Sequence, residues 1–197
     1  QDADFLWELD QDELVLGGFT YRLPLLGRHN VLNMMLAIAV SRELKVPQKR
    51  LENLHIDIHP GRNRRLKVGN LTVLDETYNS SPESAHASLE MLKTLPGRHF
   101  AVLGLMLELG EQSVSLHREV ARKTLELELD GLVVIAQGDE ARAMSEIASS
   151  LPMFDVVSSQ EKAANTLGSW LRSGDVILLK ASRAVELEKL LLLLPKV

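Results

Sequence analysis

The stretch Leu71-Thr72-Val73-Leu74-Asp75-Glu76-Thr77-Tyr78-Asn79-Ser80-Ser81-Pro82-Glu83 decides the fold class of this chain. Its first four residues form an apolar run, which predicts a buried strand ending near Leu74. Ser81, Pro82 and Glu83 predict a helix start, because serine caps free N–H groups, proline suits the first helical position and a carboxylate suits the first turn. A strand that leads directly into a helix is the repeating unit of α/β folds.

The turn between this strand and this helix, residues 75–81, is unusually polar. It contains two carboxylates, a phenol, an amide and several hydroxyls. Ligands of open α/β sheets bind outside the carboxyl ends of the strands. The turn is therefore a candidate binding site, and the alternative is an ordinary capping loop with surface acids.

The composition is that of a globular protein, since 45% of the 197 residues are hydrophobic and 25% are charged. The net charge of −5 argues against nucleic acid or an anionic membrane as a partner. The absence of cysteine excludes disulfides and cysteine metal sites. The most apolar stretch, residues 31–40, is far shorter than the roughly 20 residues of a membrane span. Because the chain begins at Gln1 without a methionine, we expect a fragment of a longer protein.

The first 60 residues differ in pattern from the rest. Short apolar runs with aromatic residues predict three antiparallel strands before Pro24. Asn30 is expected to cap a helix to about Lys45 that is apolar nearly all round and therefore buried, and Pro47 is expected to open a second helix. The proline, glycine and charges of residues 58–65 predict a domain boundary there.

Beyond the boundary, predicted strands and helices alternate. The predicted strands are 65–68, 71–74, 99–103, 132–136, 154–157 and 175–180, and the predicted helices are 84–94, one capped by Ser113, 139–149, 160–172 and 185–194. This alternation predicts an α/β fold with a Rossmann-like, doubly wound and mainly parallel sheet that carries helices on both faces.

Several polar or glycine-rich segments follow the predicted strands or lie near the boundary. These segments are 27–33, 61–62, 75–81, 104–110, 137–139 and 180–183. The carboxyl ends of parallel strands share one edge of the sheet, so the strand-end segments are expected to lie close together. Asn30 and Asn33 offer amide donors and acceptors to a heterocycle. Arg62 can bind a phosphate or carboxylate through two parallel hydrogen bonds.

Five motifs occur in order along the chain. They are Gly27-x-His29-Asn30-x-x-Asn33, Pro60-Gly61-Arg62, Asp75-Glu76-Thr77-Tyr78-Asn79 followed by Pro82, Leu103-Gly104-x-Met106-x-Glu108-Leu109-Gly110-x-x-Ser113-x-x-x-His117, and Leu179-Lys180-x-Ser182-Arg183. Together they resemble the Mur ligases of bacterial cell-wall synthesis, and among these the MurF type. The resemblance covers essentially the whole chain. The Glu-Thr-Tyr-Asn loop separates it from the MurE type and from folylpolyglutamate synthases.

The resemblance implies an ATP-dependent ligase of peptidoglycan synthesis that adds D-alanyl-D-alanine to UDP-N-acetylmuramoyl-tripeptide through an acyl phosphate. Residues 1–60 would be the C-terminal end of the central ATP-binding domain, and residues 61–197 the C-terminal Rossmann-like ligase domain. The implied cofactors are ATP and Mg²⁺, with the metal ligands, the phosphate-binding loop and the catalytic groups mainly upstream of this chain. The resemblance also implies a cytoplasmic monomer whose N-terminal and central domains are missing here, and an isolated fragment that is inactive.

The resemblance assigns roles to individual residues of this chain. The implied ATP-binding residues are His29, Asn30, Asn33, Arg62, Asp75 and Glu76. The implied substrate-binding residues are Tyr78, Asn79, Ser80, Glu108, Lys180, Ser182 and Arg183. No catalytic residue and no metal ligand is assigned. Leu105, Ala181 and Ala184 depart from the residues usual in the family, and His117 is equally compatible with a site role and a structural role.

Two other functions are compatible with parts of the pattern. A Rossmann-like module without catalytic activity would bind a nucleotide or a protein through the same polar strand ends. Binding of RNA or DNA through the basic run 62–67 is weaker, because the chain is acidic and no aromatic residues interleave with that run.

Overall fold

The computed structural model describes residues 7–10, 13–25, 28–52, 54 and 59–197. The chain divides into two compact units, residues 1–57 and residues 58–197. The first unit has one hydrophobic core, and the second unit has two. We therefore treat the two units one at a time.

The first unit combines a three-stranded sheet with one long helix. Strands β1 (Trp7–Asp10), β2 (Glu13–Leu16) and β3 (Phe19–Arg22) are antiparallel neighbours in that order, as predicted, and helix α1 spans Arg28–Glu43. Alternation along β2 places Leu14 and Leu16 in the core, where they join Tyr21 and one face of α1.

Three predictions for the first unit were wrong. Helix α1 begins before Asn30, so Asn30 lies within the helix and does not cap it. The helix is not buried all round, because Leu32, Leu36 and Val40 are 54%, 66% and 58% exposed. Its apolar residues exceed what the face toward β1–β3 can cover. Among residues 48–52, which the structure describes, the chain forms a 3₁₀ turn, Gln48–Arg50, in place of the start of a second helix.

The second unit confirms the predicted mainly parallel α/β sheet. Its strands are β4 (Arg64–Val68), β5 (Leu71–Glu76), β6 (His99–Gly104), β7 (Gly131–Ile135), β8 (Met153–Val157) and β9 (Val176–Lys180). Their spatial order is β4-β5-β9-β6-β7-β8, with β4 antiparallel to β5 and the other pairs parallel. The helices are α2 (Pro82–Lys93), α3 (Ser113–Glu126), α4 (Gly138–Ala148) and α5 (Gln160–Trp170).

The sheet is covered on both faces. Helices α2, α3 and α4 contribute to one core, for example through Leu89, Val120 and Met144. Helix α5 and the 3₁₀ segment Leu187–Leu192 contribute to the other core. The central strands β6, β7 and β9 are buried throughout, which is typical of parallel strands covered on both sides.

The prediction of a final helix at residues 185–194 was wrong. The chain instead forms two 3₁₀ segments, Arg183–Val185 and Leu187–Leu192. Glu186 separates them with a left-handed backbone at φ 52°, which interrupts helical hydrogen bonding. Gln160 Nε2 of α5 donates to the Val185 carbonyl at 2.6 Å and holds this bend.

The strand order determines where a ligand can bind. The chain reaches β9 from the sheet edge at β8 through α5, and β9 inserts between β5 and β6. Side chains that follow β5, β6 and β9 therefore converge at one edge, at a change of strand order of the kind where α/β sheets bind ligands. Among the described residues, no helix is long and apolar enough to span a bilayer.

Candidate functional site

The carboxyl ends of β5 and β9 form the centre of the candidate site. The parallel register pairs Glu76 with Lys180, two residues that are 104 positions apart in sequence. Beside them is a cavity of about 240 Å³. It is lined by Gly61, Arg62, Glu76, Tyr78, Asn79, Ser80, Ser81, Ser84 and Lys180. Six of the predicted site residues thus lie together around one cavity.

Asp75 and Glu76 are neighbours with different surroundings. Asp75 is 1% exposed and accepts hydrogen bonds from the Gly61 N–H at 3.1 Å, the Thr77 N–H at 3.3 Å and the Thr77 hydroxyl at 2.7 Å. Its carboxylate therefore holds the segment before Arg62 against the β5 turn. Glu76 lines the cavity, and its Oε2 lies 3.9 Å from Lys180 Nζ.

Gly61 makes this close approach possible. Its φ is 79°, and a Cβ at this position would lie 2.8 Å from the Tyr78 nitrogen and 2.9 Å from Thr77 Oγ1. The Tyr78 N–H donates to the Gly61 carbonyl at 2.9 Å. Only glycine fits both the conformation and the space.

Arg62 and Tyr78 form one wall of the site. The Arg62 guanidinium lies over the Tyr78 ring, 3.9 Å from its centroid, and the His59 ring contacts Tyr78 edge-on at 5.0 Å. Stacking of this kind orients a guanidinium while its N–H groups stay available. His59 was not singled out from the sequence, and its position two residues before Gly61 carries no distinctive signal.

Lys180 is the buried cation of the site. It is 2% exposed, and its Nζ donates to the Asn79 carbonyl at 3.0 Å. Burial lowers the pKa of Lys180, the Glu76 carboxylate opposes that shift and the Arg62 charge adds to it. A buried ammonium with one neutral acceptor and one carboxylate at 3.9 Å is well placed to attract an anionic group.

The start of α2 forms the floor of the cavity. Ser81 caps the helix as predicted, with its Oγ accepting from the Ser84 N–H at 3.3 Å. Ser84 Oγ accepts in return from the Ser81 N–H at 2.9 Å, which completes a capping box. Ser84 was not predicted as a site residue, because the sequence signal of such a box is glutamate or glutamine at this position.

The remaining predicted substrate residues lie on two neighbouring loops. Ser182 is 3% exposed, its Oγ accepts from the Leu107 N–H at 2.8 Å and its own N–H donates to the Leu105 carbonyl at 2.9 Å. Arg183 Nη1 lies 2.8 Å from Glu188 Oε1, and Glu108 is exposed with φ 64°. Ser182 thus joins the two loops, while Arg183 and Glu108 lie at the surface.

The three predicted adenine-side residues belong to the first unit. Asn33 Nδ2 donates to Asn30 Oδ1 at 3.4 Å on the first turns of α1, and Asn30 is 9% exposed. The side chain of His29 lies outside the described part of the structure. Within the described ranges, no group of three or more histidine, cysteine, aspartate or glutamate side chains could hold a metal ion.

Ser113 and His117 have structural contacts. Ser113 was predicted to cap α3, and this prediction was wrong. The helix begins at Ser113 itself, and the Ser113 hydroxyl donates to Glu140 Oε1 at 2.8 Å. His117 is 1% exposed and accepts from the Met106 N–H at 2.9 Å through Nε2. A site role and a structural role were both compatible with the sequence of His117. These contacts favour the structural role, in which His117 supports the loop after β6.

Comparison with known proteins gives one family. The model described as Mur ligase, glutamate ligase domain, matches residues 61–183. The UDP-N-acetylmuramoyl-tripeptide–D-alanyl-D-alanine ligase of Synechocystis sp. is 37% identical over 190 residues, which are 95% of this chain and 42% of that protein. The ligase of the same name from Bacillus subtilis is 30% identical over 179 residues, covering 87% of this chain and 39% of that protein.

Solved structures agree. The MurF ligase from Thermotoga maritima in complex with ADP has a TM-score of 0.77 at 32% identity, covering 95% of this chain and 44% of that one. MurF from Acinetobacter baumannii has a TM-score of 0.79 at 29% identity, covering 94% and 43%. The chain spans about two fifths of the length of these relatives. Because the family model covers more than half of it, the chain belongs to the Mur ligase family.

Proposed function

We propose that the intact protein containing this chain is a UDP-N-acetylmuramoyl-tripeptide–D-alanyl-D-alanine ligase. The relatives of that name and the ADP complex of a similar protein support this activity. The observation that carries the proposal is the cavity where Glu76, Lys180 and Arg62 converge at the ends of β5 and β9. A carboxylate for hydroxyl groups and two cations for phosphates or carboxylates suit a nucleotide and acidic peptide substrates.

The proposed domain organisation follows the same family. Residues 1–60 are the C-terminal end of a central ATP-binding domain, and residues 61–197 are the C-terminal ligase domain. The partners in the same protein are an N-terminal domain and the rest of the central domain. The intact protein acts as a monomer in the cytoplasm, where its nucleotide-linked substrate and ATP occur.

On the nucleotide side, the surroundings of Glu76, Asp75 and Arg62 support the roles proposed for them. Glu76 accepts hydrogen bonds from ribose hydroxyls, while Asp75 acts from beneath by holding Gly61. Arg62, oriented by Tyr78, binds a phosphate oxygen. Asn30 and Asn33, together with His29, contact the adenine. This assignment makes Glu76 the acid that meets the ligand, because the contacts of Asp75 are internal.

The peptide substrates occupy the other strand ends. Tyr78, Asn79 and Ser80 contact the tripeptide, and Lys180 attracts its activated carboxyl group. Glu108 and Arg183 bind the ammonium and carboxylate groups of the dipeptide, and Ser182 places both loops. These roles use charges that are either exposed or adjacent to the cavity.

The proposed reaction has two steps. A tripeptide carboxylate oxygen attacks the γ-phosphorus of ATP, ADP leaves and an acyl phosphate forms. The dipeptide amine then attacks the acyl carbon, a C–N bond forms, phosphate leaves with the electron pair of the C–O bond, and the nitrogen loses a proton. Mg²⁺ neutralises phosphoryl oxygens in such reactions. The described residues do not form a site for it, so we assign no step to a metal ligand of this chain.

The test uses the full-length protein with ATP, Mg²⁺, UDP-N-acetylmuramoyl-tripeptide and D-alanyl-D-alanine. We expect phosphate release that requires all three organic substrates, and a product whose mass is the sum of both peptides less one water. Lys180→Met is expected to lower kcat/KM by roughly tenfold or more, because a charged hydrogen-bond donor is lost. Arg142→Gln is the control, since Arg142 is exposed on α4 and its ion pair with Asp139 is a surface contact within the same helix.

Three results would contradict the proposal or one of its residue assignments. Absence of the ligated product from the full-length protein under all substrate combinations excludes this ligase activity. Nucleotide binding without any turnover would favour a binding module that lacks catalysis. Equal activity of Lys180→Met and Arg142→Gln would remove Lys180 from the site.

A further inference from the structure

The loop after β6, residues 105–110, is held by three hydrogen bonds to two different elements. The Met106 N–H donates to His117 Nε2 of α3 at 2.9 Å. The Leu107 N–H donates to Ser182 Oγ at 2.8 Å, and the Ser182 N–H donates to the Leu105 carbonyl at 2.9 Å. Three consecutive residues of this loop are thus tied to α3 on one side and to the end of β9 on the other.

His117 can make its bond in only one form. Its Nδ1 lies 2.7 Å from the Ser113 carbonyl, which only accepts, so Nδ1 carries the hydrogen and donates. Nε2 is then the unprotonated nitrogen that accepts from Met106. The two bonds fix both the neutral tautomer and the orientation of a ring that is 1% exposed.

A second contact fixes the residue that anchors His117. Ser113 donates its hydroxyl to Glu140 Oε1 at 2.8 Å, at the start of α4. Glu140 has a lowered pKa, caused first by its own backbone N–H and then by the Ser113 hydroxyl, while burial opposes the shift. The loop after β6 is therefore connected through His117 and Ser113 to the helix that follows β7.

The residues that this loop presents are unusual. Leu107 is 45% exposed, and Glu108 is exposed with a left-handed backbone at φ 64°. A non-glycine residue in that conformation costs on the order of 1–3 kcal/mol and persists where its surroundings hold it in place. The bonds to Met106 and Leu107 directly precede Glu108 and supply that restraint. Ser182, which receives one of them, is two residues beyond Lys180 of the cavity.

We propose that His117 is a positioning residue that holds Leu107 and Glu108 in place to receive the incoming amine substrate. Glu108 offers a carboxylate to the ammonium group of that substrate, and Leu107 offers an apolar contact to its methyl groups. This inference rests on the proposed function, because the dipeptide is the substrate with both features. His117 contacts the loop backbone and does not take part in bond formation.

Two substitutions of His117 test the role of the Nε2 acceptor separately from the role of the rest of the ring. In His117→Gln, the terminal oxygen reaches the position of Nε2 and restores an acceptor for the Met106 N–H. In His117→Asn, the shorter amide reaches the position of Nδ1 and leaves Met106 without an acceptor. We expect the KM for D-alanyl-D-alanine to rise roughly tenfold in His117→Asn and to stay close to wild type in His117→Gln. The KM for ATP should change little in either variant.

Amide hydrogen exchange of segment 104–110 in the full-length protein gives a readout that does not depend on activity. Exchange should accelerate in His117→Asn, remain slow in His117→Gln, and be unchanged in both at the strands β5 and β7. Thermal unfolding of both variants identifies any general loss of folding. A purely structural residue would raise the KM values of all substrates together with a lower unfolding temperature.

The inference fails if His117→Asn retains the wild-type KM for the dipeptide, or if segment 104–110 exchanges at the wild-type rate. If the wild-type protein does not use the dipeptide at all, the proposed function fails, and with it the role of Glu108 and Leu107 toward this substrate. The exchange data still decide in that case whether His117 holds the loop.

Discussion

Adjacent residues of one sequence motif do different work in this protein. Asp75 and Glu76 are consecutive carboxylates at the end of β5, where successive side chains point to opposite sides. Asp75 is surrounded by N–H and O–H donors of Gly61 and Thr77, whereas Glu76 borders the cavity beside Lys180. The first is a structural acid, and the second is the acid available to a ligand.

Substitution of Asp75 should therefore mainly affect the free energy of unfolding, and substitution of Glu76 should mainly affect the KM for ATP. Asp75→Asn places an amide among three donors, and we expect a loss of about 1–3 kcal/mol in the free energy of unfolding. Glu76→Gln should leave unfolding nearly unchanged and raise the KM for ATP in the full-length protein by roughly tenfold. Chemical denaturation and steady-state kinetics measure the two effects. Reversed results would interchange the roles of these residues.

The close approach of Ala181 to Gly104 gives a second prediction at the scale of single residues. Ala181 is fully buried and directly follows β9, the strand that pairs with β6. A Cβ at Gly104 would lie 2.7 Å from the Ala181 Cβ and 3.0 Å from Val185 Cγ1. The glycine that accommodates this close approach is thus on the neighbouring strand.

Gly104→Ala should destabilise the protein by about 1–3 kcal/mol through overpacking. Ala181→Gly removes the nearer of the two clashing atoms, so the double substitution should recover part of that loss. A double-mutant cycle in denaturant measures the coupling between the two sites. Strictly additive effects would show that the two positions do not compete for the same space.

At the scale of elements, the first turns of α2 and α3 are stabilised in different ways. Ser81 and Ser84 cap α2 from within, whereas the start of α3 uses a side chain of α4 through the Ser113–Glu140 bond. The prediction of Ser81 as the cap of α2 was confirmed, whereas the prediction of Ser113 as the cap of α3 was wrong. The partner of Ser113 is 27 positions away, which no local pattern can specify.

The Glu140 carboxylate makes this junction pH-dependent. Its pKa is lowered from the ordinary value of 4.5, first by its own backbone N–H and then by the Ser113 hydroxyl. A lowered folded-state pKa stabilises the fold above the unfolded-state pKa, and this stabilisation is lost as the pH falls through the folded-state value. Glu140→Gln should therefore lower the unfolding temperature at pH 7, and the difference from wild type should shrink below pH 4.5.

Glu146→Gln is the matched control on the same helix, since Glu146 is 53% exposed in an ion pair with Arg118 that contributes little. Calorimetry at pH 7 and at acidic pH measures both variants. A difference between Glu140→Gln and wild type that is independent of pH would exclude the carboxylate as the cause.

At the scale of the whole molecule, the central position of β9 assembles the site. Residues that follow β9 meet those that follow β5 and β6, which are about 75 to 101 positions earlier in the chain. At the opposite end of the same strand, Arg98 binds Asp175 through two hydrogen bonds of 3.0 and 2.7 Å and donates to the Trp170 carbonyl. Strand β9 is thus held at both ends.

The 197-residue chain alone should not catalyse ATP-dependent ligation. It matches 42% of a ligase relative, and its sequence contains no Gly-x-x-x-x-Gly-Lys phosphate-binding loop. Phosphate release by the purified chain should equal the buffer background, with the full-length protein as the positive control. Turnover by the chain above that background would contradict the proposed division of labour between domains.

Much of the fold was predictable because the signals are local. Apolar runs identified the strands of the second unit, and the Ser81-Pro82-Glu83 start and the break near residue 60 were visible in composition. The errors fell where local pattern and tertiary context disagree. The leucines of residues 187–194 suggested a helix, but the left-handed Glu186 and the Gln160 contact impose 3₁₀ segments.

The candidate site, like the fold, was predictable only in part from the sequence. Residue types and their spacing in the primary structure were sufficient to identify polar strand ends and to indicate the family, because those features are read along the chain. The difference between Asp75 and Glu76, the burial of Lys180 against the Asn79 carbonyl and the support of the loop by His117 arise from folding alone. Each depends on a contact between distant segments, and the energy of a charge or hydrogen bond is set by the groups that folding places around it.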